Sequence, residues 1–556
     1  MTSRPTFETS WQLRLGTFTV LLCLIVSLTC NGFCIAQVPD QAADVVAVCP
    51  VELQPSMAEW IARRRDEGLV VRVIPPEVTA EVMRKRIADA AVIGKTRYVI
   101  LIGDPQLAAD GRPADLRYYV PTIYRRADAT AAYQSTSHLP GDYLYGDFND
   151  DLTVDAAVGR LPVGSAAQAI EMFQRIADYE QSRDFGRWRS RVDLVAGLGG
   201  FGPLIDGAIE TVASGMITGS LPGSVRTRVT HAGPGSLFCP GSGCFTDTVL
   251  DNYSDGARFW VYAGHGHIRE LDRVPATRFG RPVLASGDVE NLRRPASAAP
   301  IALLLACYTG AYDSTEDCLA KEMFLADGGP IAVLAGSRVT MPYGNASAAM
   351  GLIHSVYHRR PERLGDAWLQ TLSEMATPSN ADPELQSRRM VIDGLATMLG
   401  GGRIDDERRE HMQLYNWFGD PTLRLGHPQN LNINDPGRFS AGQKVTISGT
   451  VPMPGTLTIE LHRRLGTVPM TKMTNASDAL AAEANPLLAR YRSANDTAIA
   501  VTEVLIGEAG PWKAELSVPA DATGPMRLVV DLESPNGFAS GVQSVWIRPS
   551  AVAAAK

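Results

Sequence analysis

The segments FWVYAGHGH (residues 259–267) and IALLLACYTG (residues 301–310) are apolar runs that each stop at a chemically reactive side chain. The first run ends at His265 between two glycines, and the second ends at Cys307. In sheets of parallel strands covered by helices, ligands and reacting groups collect beyond the carboxyl ends of the strands. The pattern predicts two strands that carry an imidazole and a thiol, which could act as acid/base partner and nucleophile.

Other interpretations fit each of these residues taken singly. A free cysteine in a Leu/Ala-rich strand is often a buried core residue. His265 and His267 could share a metal ion such as zinc, although no Cys, His or carboxylate cluster at the usual spacing completes such a site. Both reactive residues stand at the end of an apolar run, and the glycines allow a close approach of the backbone. These features favour the catalytic interpretation.

Composition limits the possible classes of function. The chain has 556 residues, of which 45% are hydrophobic and 20% are charged. This length exceeds one ordinary domain, and the composition is typical of a globular protein. With 52 basic and 60 acidic residues, the formal net charge is −8. A nucleic-acid-binding surface is therefore not expected.

The N-terminal residues 1–36 are typical of a signal peptide. Arg4 and Arg14 precede an apolar run at 15–28, and small residues at 34–36 offer a cleavage site. A retained anchor and a lipid-modified cysteine within this segment are the alternatives. No later run approaches the length of a membrane span. We therefore expect the mature chain to be secreted or at the cell surface, without a membrane span.

The cysteines that follow the signal peptide are Cys49, Cys239, Cys244, Cys307 and Cys318. An odd number in an exported protein leaves at least one thiol unpaired, as a reactive Cys307 would require. Cys239 and Cys244 flank a short flexible loop and could form a local disulfide. The sequence leaves that pairing open, because the geometry it needs is not visible there.

Apolar runs alternate with amphipathic helices from about residue 45 to residue 427. This order predicts an α/β fold with a parallel sheet and covering helices. One helix is expected over 165–181, capped by Ser165. Its buried face is predicted to carry Ile170, Phe173, Ile176 and Ala177. A break near 185–190 divides the region into two subdomains, 37–188 and 189–427.

The pattern changes at residue 428. From 428 to 550 the chain shows short β-type runs separated by turn residues, which predicts an Ig-like β-sandwich. An Ala-rich stretch at 478–492 predicts a helix inserted into one of its loops.

Six motifs follow one another in an order that resembles a known family. They are YVILIGD (98–104), GDFNDDLTVDAAVGRLPV (146–163), VYAGHGH (261–267), LLLACYTGAYD (303–313), AVLAGSR (332–338) and NWFGDPTLRL (416–425). Together they resemble the gingipain family of cysteine peptidases, in the caspase-like clan, over about residues 95–425. The resemblance implies a caspase-like α/β fold followed by an Ig-like domain.

The resemblance also implies roles for particular residues. His265 would be the catalytic histidine and Cys307 the nucleophile. The backbone N–H groups of Gly266 and Cys307 would hold the oxyanion, and glycine suits this position because it has no Cβ to clash with a reacting carbonyl. His267 would lie at the rim of the cleft. Asp155 falls where some relatives carry a carboxylate near the histidine, which implies a supporting role.

Substrate preference stays open at this point. Relatives that cut after Arg or Lys pair the basic side chain with an acidic residue, for which one place is the helix after the GRLP-like motif. Here residues 165–168 are Ser-Ala-Ala-Gln, and the first acid is Glu171. Tyr343 is either one wall of an aromatic pocket or an ordinary packing residue.

The acidic segment at 147–155 is a candidate calcium loop. Asp147, Asn149, Asp151 and Asp155 occupy positions like 1, 3, 5 and 9 of such a loop, with the Thr153 carbonyl at position 7. Leu152 stands where these loops normally need glycine, and no glutamate follows at position 12. A calcium site and a solvated turn are both compatible with the pattern.

Three functions are compatible with these observations. The first is an exported cysteine endopeptidase that hydrolyses a protein or peptide through a thioester, requires no cofactor and acts as a monomer. The second is a sortase-like transpeptidase, whose first half-reaction is identical. The third is a surface adhesin with an inert enzyme-like domain. The segment from Gln37 to about residue 50 is short for a pro-domain.

Overall fold

The computed structural model describes residues 42–198, 221–275, 277–378, 383–398, 403–466 and 485–549. The predicted signal peptide lies outside the described residues. Within them, no helix is both long enough and apolar enough to cross a membrane.

The α-helices of the described residues are α1 (Ala58–Asp66), α2 (Ala80–Ala90), α3 (Ala166–Gln181), α4 (Phe245–Asp255), α5 (Leu319–Leu325), α6 (Pro342–His354), α7 (Leu364–Ala376), α8 (Pro383–Met398), α9 (Ile404–Leu414) and α10 (Pro486–Asn495). A π-helical turn, Ser355–Arg359, extends α6. The strands before residue 428 are β1 (Val45–Val48), β2 (Val71–Ile74), β3 (Tyr98–Ile102), β4 (Ile123–Arg126), β5 (His138–Gly141), β6 (Ala157–Leu161), β7 (Arg191–Ala196), β8 (Arg226–His231), β9 (Phe259–Ala263), β10 (Arg273–Val274), β11 (Arg281–Pro282), β12 (Ile301–Leu305), β13 (Ala332–Gly336) and β14 (Tyr415–Phe418).

A ten-stranded sheet forms the centre of the α/β region, in the order β2-β1-β3-β6-β14-β13-β12-β9-β7-β8. Every residue of β3, β12 and β13 is buried. Near-continuous apolar strands of this kind belong to sheets that helices cover on both faces. The expected α/β architecture is therefore present, with strands that end at the motifs identified in the sequence.

The two halves of this sheet run in opposite directions. The pair β13–β14 is antiparallel, whereas the other described pairs of this sheet are parallel. The halves meet between β14 and β13, where Phe418 pairs with Val333. The predicted break near 185–190 therefore does not interrupt the sheet, and the expectation of uniformly parallel strands is wrong at β13–β14. The carboxyl ends of β6 and β12 lie at opposite edges.

Local sequence signals explain the helix beginnings. The Ser165 side chain accepts a hydrogen bond from the Gln168 N–H at 3.2 Å and caps α3, as expected. On the buried face, Phe173, Ile176 and Ala177 lie inside as predicted. Ile170 does not, since it is 58% exposed. Ala169 and Met172 complete the buried face instead, so the prediction was wrong only at Ile170.

Two β-sheets and one helix make up the described part of the region after residue 428. Their strands are β15 (Gln429–Asn430), β16 (Asn432–Ile433), β17 (Phe439–Ser440), β18 (Lys444–Val451), β19 (Gly455–His462), β20 (Ala498–Ile506), β21 (Gly510–Ser517), β22 (Gly524–Ser534) and β23 (Gly537–Arg548). Side chains of both sheets, including Ile447, Leu516, Ile459 and Leu528, share one apolar core. The alternation of buried and exposed residues along β18 and β21 agrees with sheets that face the core on one side.

Helix α10 joins this region to the α/β sheet. Part of the predicted 478–492 helix lies outside the described residues, and α10 begins at Pro486. The Asn495 amide pairs with both the N–H and the carbonyl of Val229 in β8, at 2.8 and 2.9 Å. Arg226 of the same strand forms ion pairs with Glu460 and Asp531. The two regions therefore share polar contacts along β8.

The possible disulfide between Cys239 and Cys244 is not formed. Cys239 and Cys244 are both free thiols, as are the other described cysteines. The Cys244 Sγ lies 3.0 Å from the carbonyl oxygen of Pro240, whereas the Cys239 Sγ approaches Ala232. The two side chains have separate neighbours, so the short spacing did not decide their pairing.

Candidate active site

The strand register brings the two predicted catalytic residues to the same level of the sheet. Strands β9 and β12 are parallel neighbours, and Ala263 lies opposite Leu305. His265 and Cys307 each follow that pair by two residues. The His265 side chain is exposed and Cys307 is half-buried, so both are open to a substrate. Both residues therefore follow adjacent parallel strands, and their pairing as catalytic partners stays a prediction.

Gly266 allows the two loops to pack directly against each other. A Cβ at this position would meet the Ala306 Cβ at 2.8 Å, the Thr309 Cγ2 at 2.8 Å and the Cys307 carbonyl oxygen at 2.9 Å. Such contacts are closer than real Cβ atoms make, so only glycine fits without movement. The backbone of the histidine loop therefore lies against the backbone of the cysteine loop.

The residue after Cys307 adopts an uncommon backbone conformation. Tyr308 has a φ of 59°, in the left-handed region that non-glycine residues seldom occupy. Its N–H donates to the Arg338 carbonyl at 3.1 Å, which holds the turn in place. Backbone strain of this type concentrates at functional sites. Here it turns the chain sharply away from the sheet and leaves Cys307 at the turn.

The loop that carries His265 is held by Asp272 and Tyr262. The His265 N–H donates to the Asp272 Oδ2 at 3.0 Å. The Tyr262 hydroxyl lies 2.8 Å from the His265 carbonyl oxygen and 3.0 Å from the same carboxylate oxygen. Burial raises the pKa of Asp272, and the N–H and the imidazole charge of His265 offset part of that rise. A carboxylate thus stands beside the histidine loop.

The sulfur of Cys307 is surrounded by atoms of Thr340. The Thr340 N–H donates to the sulfur at 3.3 Å, and the Thr340 carbonyl and hydroxyl oxygens lie at 3.6 and 3.8 Å. Thr340 follows β13, which is the strand next to β12. Its neighbour Met341 donates from its N–H to the His411 Nε2 at 2.7 Å. The loop after β13 therefore supports the candidate nucleophile.

His267 occupies a separate position in the turn after His265. Its side chain is exposed, and its N–H donates to the Glu270 carbonyl at 2.8 Å. Among the described residues, no group of three or more His, Cys, Asp or Glu side chains is arranged to hold a metal ion. Within that part of the chain, nothing completes a metal site around the two histidines.

Asp155 lies in the acidic turn instead of beside His265. Its Oδ2 accepts a hydrogen bond from the Phe148 N–H at 3.0 Å. The turn precedes β6, which is four strand positions from β9. At about 4.8 Å per strand, this separation is roughly 19 Å. The observed contact of Asp155 therefore stabilises the turn, and the implied supporting role at the histidine stays a prediction.

Asp147 organises the candidate calcium loop through hydrogen bonds. Its carboxylate accepts from the N–H groups of Asp150 and Leu152, and it pairs with Arg84 at 2.8 Å. Asn149 and Asp151 are exposed and hydrogen-bonded to each other at 2.9 Å. Leu152 has a φ of 67°, so the turn adopts the left-handed conformation although the residue is not glycine. Leu152 therefore has the backbone conformation that glycine usually supplies in a calcium loop. The carboxylate of Asp147, at the first ligand position, is already paired with Arg84.

Tyr343 packs inside a helical cluster instead of lining an open pocket. Its side chain is 7% exposed, and its hydroxyl donates to the Asp393 Oδ1 at 2.6 Å. Met350, Leu385 and Ile392 form the apolar cluster around it. Of the two interpretations drawn from the sequence, the structure favours packing.

Comparison with known proteins adds the family. Residues 38–426 match the model of peptidase family C25. The chain belongs to this family of cysteine peptidases. The structure is similar to the crystal structure of the Arg-specific cysteine proteinase gingipain R (RgpB), with a TM-score of 0.50 and 15% identity over 92% of this chain and 99% of that one. It is also similar to the complex of Porphyromonas gingivalis RgpB pro- and mature domains, with a TM-score of 0.49 and 16% identity over 91% of this chain and 100% of that one.

No curated protein matches the chain in sequence. At 15% identity, the likeness to gingipain R establishes a shared fold. The family and the fold agree with the order of motifs from which the gingipain resemblance was inferred. Substrate preference does not follow from either.

Asp272 and Thr340 were missed from the sequence. An isolated antiparallel β-bridge pairs Gly266 with Leu271, and this brings the next residue, Asp272, back to the histidine loop. That hairpin could have been suspected from the spacing of seven residues between His265 and Asp272. Thr340 lies 33 residues after Cys307 and gave no comparable signal.

Proposed function

We propose that this C25 peptidase is an exported endopeptidase that hydrolyses peptide bonds with Cys307 as nucleophile and His265 as acid/base partner. The observation that supports the proposal is the register of β9 and β12, in which His265 and Cys307 each follow the pair Ala263–Leu305 by two residues. The close contact of Gly266 with the Cys307 loop supports it further.

The reaction is an acyl transfer. The Cys307 thiol passes its proton to the His265 imidazole, and the sulfur attacks the carbonyl carbon of the peptide bond. The carbonyl oxygen becomes an oxyanion that the N–H groups of Gly266 and Cys307 hold. The C–N bond then breaks, the leaving amine takes the proton from His265, and a thioester remains on Cys307.

Water completes the cycle in the second half-reaction. His265 takes a proton from the water as it attacks the thioester. The carbon–sulfur bond breaks, the carboxylic acid product leaves, and the sulfur recovers its proton from His265. The chain needs no cofactor for these steps. In the transpeptidase alternative an amine takes the place of this water.

The proposal also covers the location of the protein and the fold of its C-terminal region. The N-terminal segment has the pattern of a signal peptide, which supports export. The two sheets after residue 428 share one core, which supports an Ig-like sandwich. This domain contacts β8 through Asn495 and through the ion pairs that Glu460 and Asp531 form with Arg226.

The test uses the mature chain and peptide acyloxymethylketones, which alkylate activated thiols. The parent should be labelled at Cys307, and Cys307→Ala should not be labelled. Cys244→Ala is the matched control, because Cys244 is also a partly exposed free thiol. Labelling that survives in Cys307→Ala, or that is absent from the folded parent, would overturn the proposal.

Hydrolysis and transpeptidation are separated with a labelled peptide that the parent cleaves. Hydrolysis releases a free carboxylic acid regardless of added amines. If the product contains an added amine such as triglycine in place of the acid, the transpeptidase is the correct function. A library varied at the residue before the cleaved bond would then define the substrate preference.

A further inference from the structure

We infer that Thr340, held in place by Asn345 and Tyr415, is a positioning residue that stabilises the Cys307 thiolate. The inference rests on the proposed function, in which the Cys307 sulfur reacts. It assigns a role to three polar residues that lie on different elements and that take no part in the proton transfers between Cys307 and His265.

The contacts of Thr340 suit both protonation states of the sulfur. As a thiol, Cys307 can donate its proton to the Thr340 carbonyl oxygen at 3.6 Å. After the proton has moved to His265, the sulfur can accept hydrogen bonds from the Thr340 N–H at 3.3 Å and from the Thr340 hydroxyl at 3.8 Å. Two donors therefore face the sulfur when it carries the negative charge, and hydrogen bonds to a charged group favour that charged form.

The orientation of Asn345 is fixed by its neighbours. Its amide Nδ2 lies 3.3 Å from the Leu305 carbonyl oxygen, which can only accept a hydrogen bond. The amide nitrogen must therefore face Leu305, and the amide oxygen must face the other way. There the Tyr415 hydroxyl donates to the Asn345 Oδ1 at 2.6 Å.

This orientation determines the hydrogen bonding of the Thr340 hydroxyl. The Asn345 Nδ2 also donates to the Thr340 Oγ1 at 3.1 Å. The hydroxyl proton can then be donated to the Cys307 sulfur at 3.8 Å or to the Tyr415 hydroxyl, which is also hydrogen-bonded to the Thr340 side chain. Thr340 therefore links Cys307 to Asn345 and Tyr415 in one hydrogen-bonded network.

Burial makes this arrangement rigid. Thr340 is 6% exposed and Tyr415 is 3% exposed. Asn345 is in the first turn of α6, Tyr415 begins β14, and Leu305 ends β12. Through Thr340, the candidate nucleophile is therefore connected to the helix of Asn345 and to the strands of Tyr415 and Leu305. A hydrogen-bond donor fixed in this way needs little reorganisation when charge appears on the sulfur.

The test measures the rate at which iodoacetamide alkylates Cys307 as a function of pH, by mass spectrometry of the labelled peptide. In Thr340→Val the hydroxyl is lost and the backbone N–H is kept. We expect the midpoint of the pH profile to rise by about half a pH unit, which is roughly a threefold loss of reactive thiolate below the midpoint. Thr340→Ser should restore the parent profile, and Tyr415→Phe should produce a smaller rise.

Cys318 provides an internal control for folding. It is fully buried, and burial raises the pKa of its thiol to about 12. It should stay unlabelled in every folded variant, and its labelling identifies a variant that has unfolded. If Thr340→Val keeps the parent profile while Cys318 stays protected, the inference is wrong.

Peptide cleavage by the same samples separates this inference from the proposed function. Alkylation of Cys307 is measurable whether or not the chain cleaves peptides. A shifted profile without any cleavage would contradict the peptidase proposal and leave the role of Thr340 intact. Cleavage with an unshifted profile would contradict the role of Thr340 alone.

Discussion

The histidine loop and the cysteine loop leave neighbouring strands at the same level, yet different chemistry holds each of them. A carboxylate, Asp272, binds the backbone of the histidine loop. Neutral groups of Thr340 and Asn345 surround the cysteine side, and among the described residues no carboxylate is hydrogen-bonded to the Cys307 sulfur. A negative charge favours a nearby imidazolium and disfavours a nearby thiolate. The carboxylate therefore lies on the side where the proposed reaction forms an imidazolium, and the neutral groups lie on the side where it forms a thiolate.

The largest effect is expected from the histidine itself. His265→Ala removes the group that accepts and returns the proton, so kcat/KM should fall by about 10² to 10⁴-fold. The matched control is His267→Ala, which removes an exposed imidazole two residues away. Hydrolysis of a peptide substrate measures both. If the two variants lose activity equally, the assignment of His265 as the acid/base residue is wrong.

The cysteine side should respond to acid through His411. Burial lowers the pKa of His411 to about 4, and its neutral Nε2 accepts from the Met341 N–H beside Thr340. An unfolded chain gains the proton near pH 6.5, whereas the folded chain resists until about pH 4. The stability contributed by the neutral ring is therefore complete above pH 6.5 and is lost as the pH falls, by about 3 kcal/mol at pH 4.

His411→Gln tests this dependence by urea unfolding at pH 7 and pH 4. Glutamine can form both hydrogen bonds of the ring but does not titrate, so the loss of stability on acidification should shrink by about 3 kcal/mol. Burial raises the pKa of Glu407 to about 7, so this carboxyl makes the protein more stable as the pH falls. The effect is the same in the parent and the variant, and it cancels when the two are compared. An unchanged difference between the two pH values would contradict the prediction.

On the histidine side, Asp272→Asn separates charge from shape. Asparagine keeps an oxygen that can accept the His265 N–H, but it removes the negative charge near the imidazole. We expect kcat/KM to fall by about 10-fold, because a hydrogen bond to a charged group contributes about 1.5–3 kcal/mol. Asp272→Ala should lose more. Steady-state kinetics measure both variants, and full activity in Asp272→Asn with a loss only in Asp272→Ala would show that only the shape of the loop matters.

The smallest effect is expected from calcium. The turn around Asp147 is four strand positions from His265, and its buried carboxylate already pairs with Arg84. We expect chelation by EDTA to change the melting temperature by less than about 2 °C. An ion bound at one hundred times its Kd would add about 2.7 kcal/mol. A clear rise in melting temperature with added calcium, absent from Asp147→Asn, would establish the calcium loop instead.

The sequence predicts the positions of the histidine loop and the cysteine loop because their signals are local. The apolar runs at 259–263 and 301–305 end where the strands end, and their register follows from the adjacency of parallel strands. The positions that support these loops depend on contacts between distant segments. Thr340, Asn345 and Tyr415 meet only after β13, α6 and β14 have packed together.

Strand direction was the other point that the sequence did not reveal. The run at 415–418 has the apolar pattern of a strand, but nothing in that pattern indicates that it pairs antiparallel with β13. This single pair reverses half of the sheet. Asp155 consequently precedes a strand of the opposite half, and the motif order alone could not give its distance from His265.

The Asn495 amide that pairs with Val229 has a consequence for aggregation of the protein. Strand β8 is the last strand in the described order of the large sheet, and open edges recruit strands from other molecules. By occupying one N–H and one carbonyl of that edge, α10 blocks such self-association. Proteolytic loss of the C-terminal region would therefore leave an α/β region that aggregates through β8. Protection against aggregation thus depends on a region that contributes neither His265 nor Cys307.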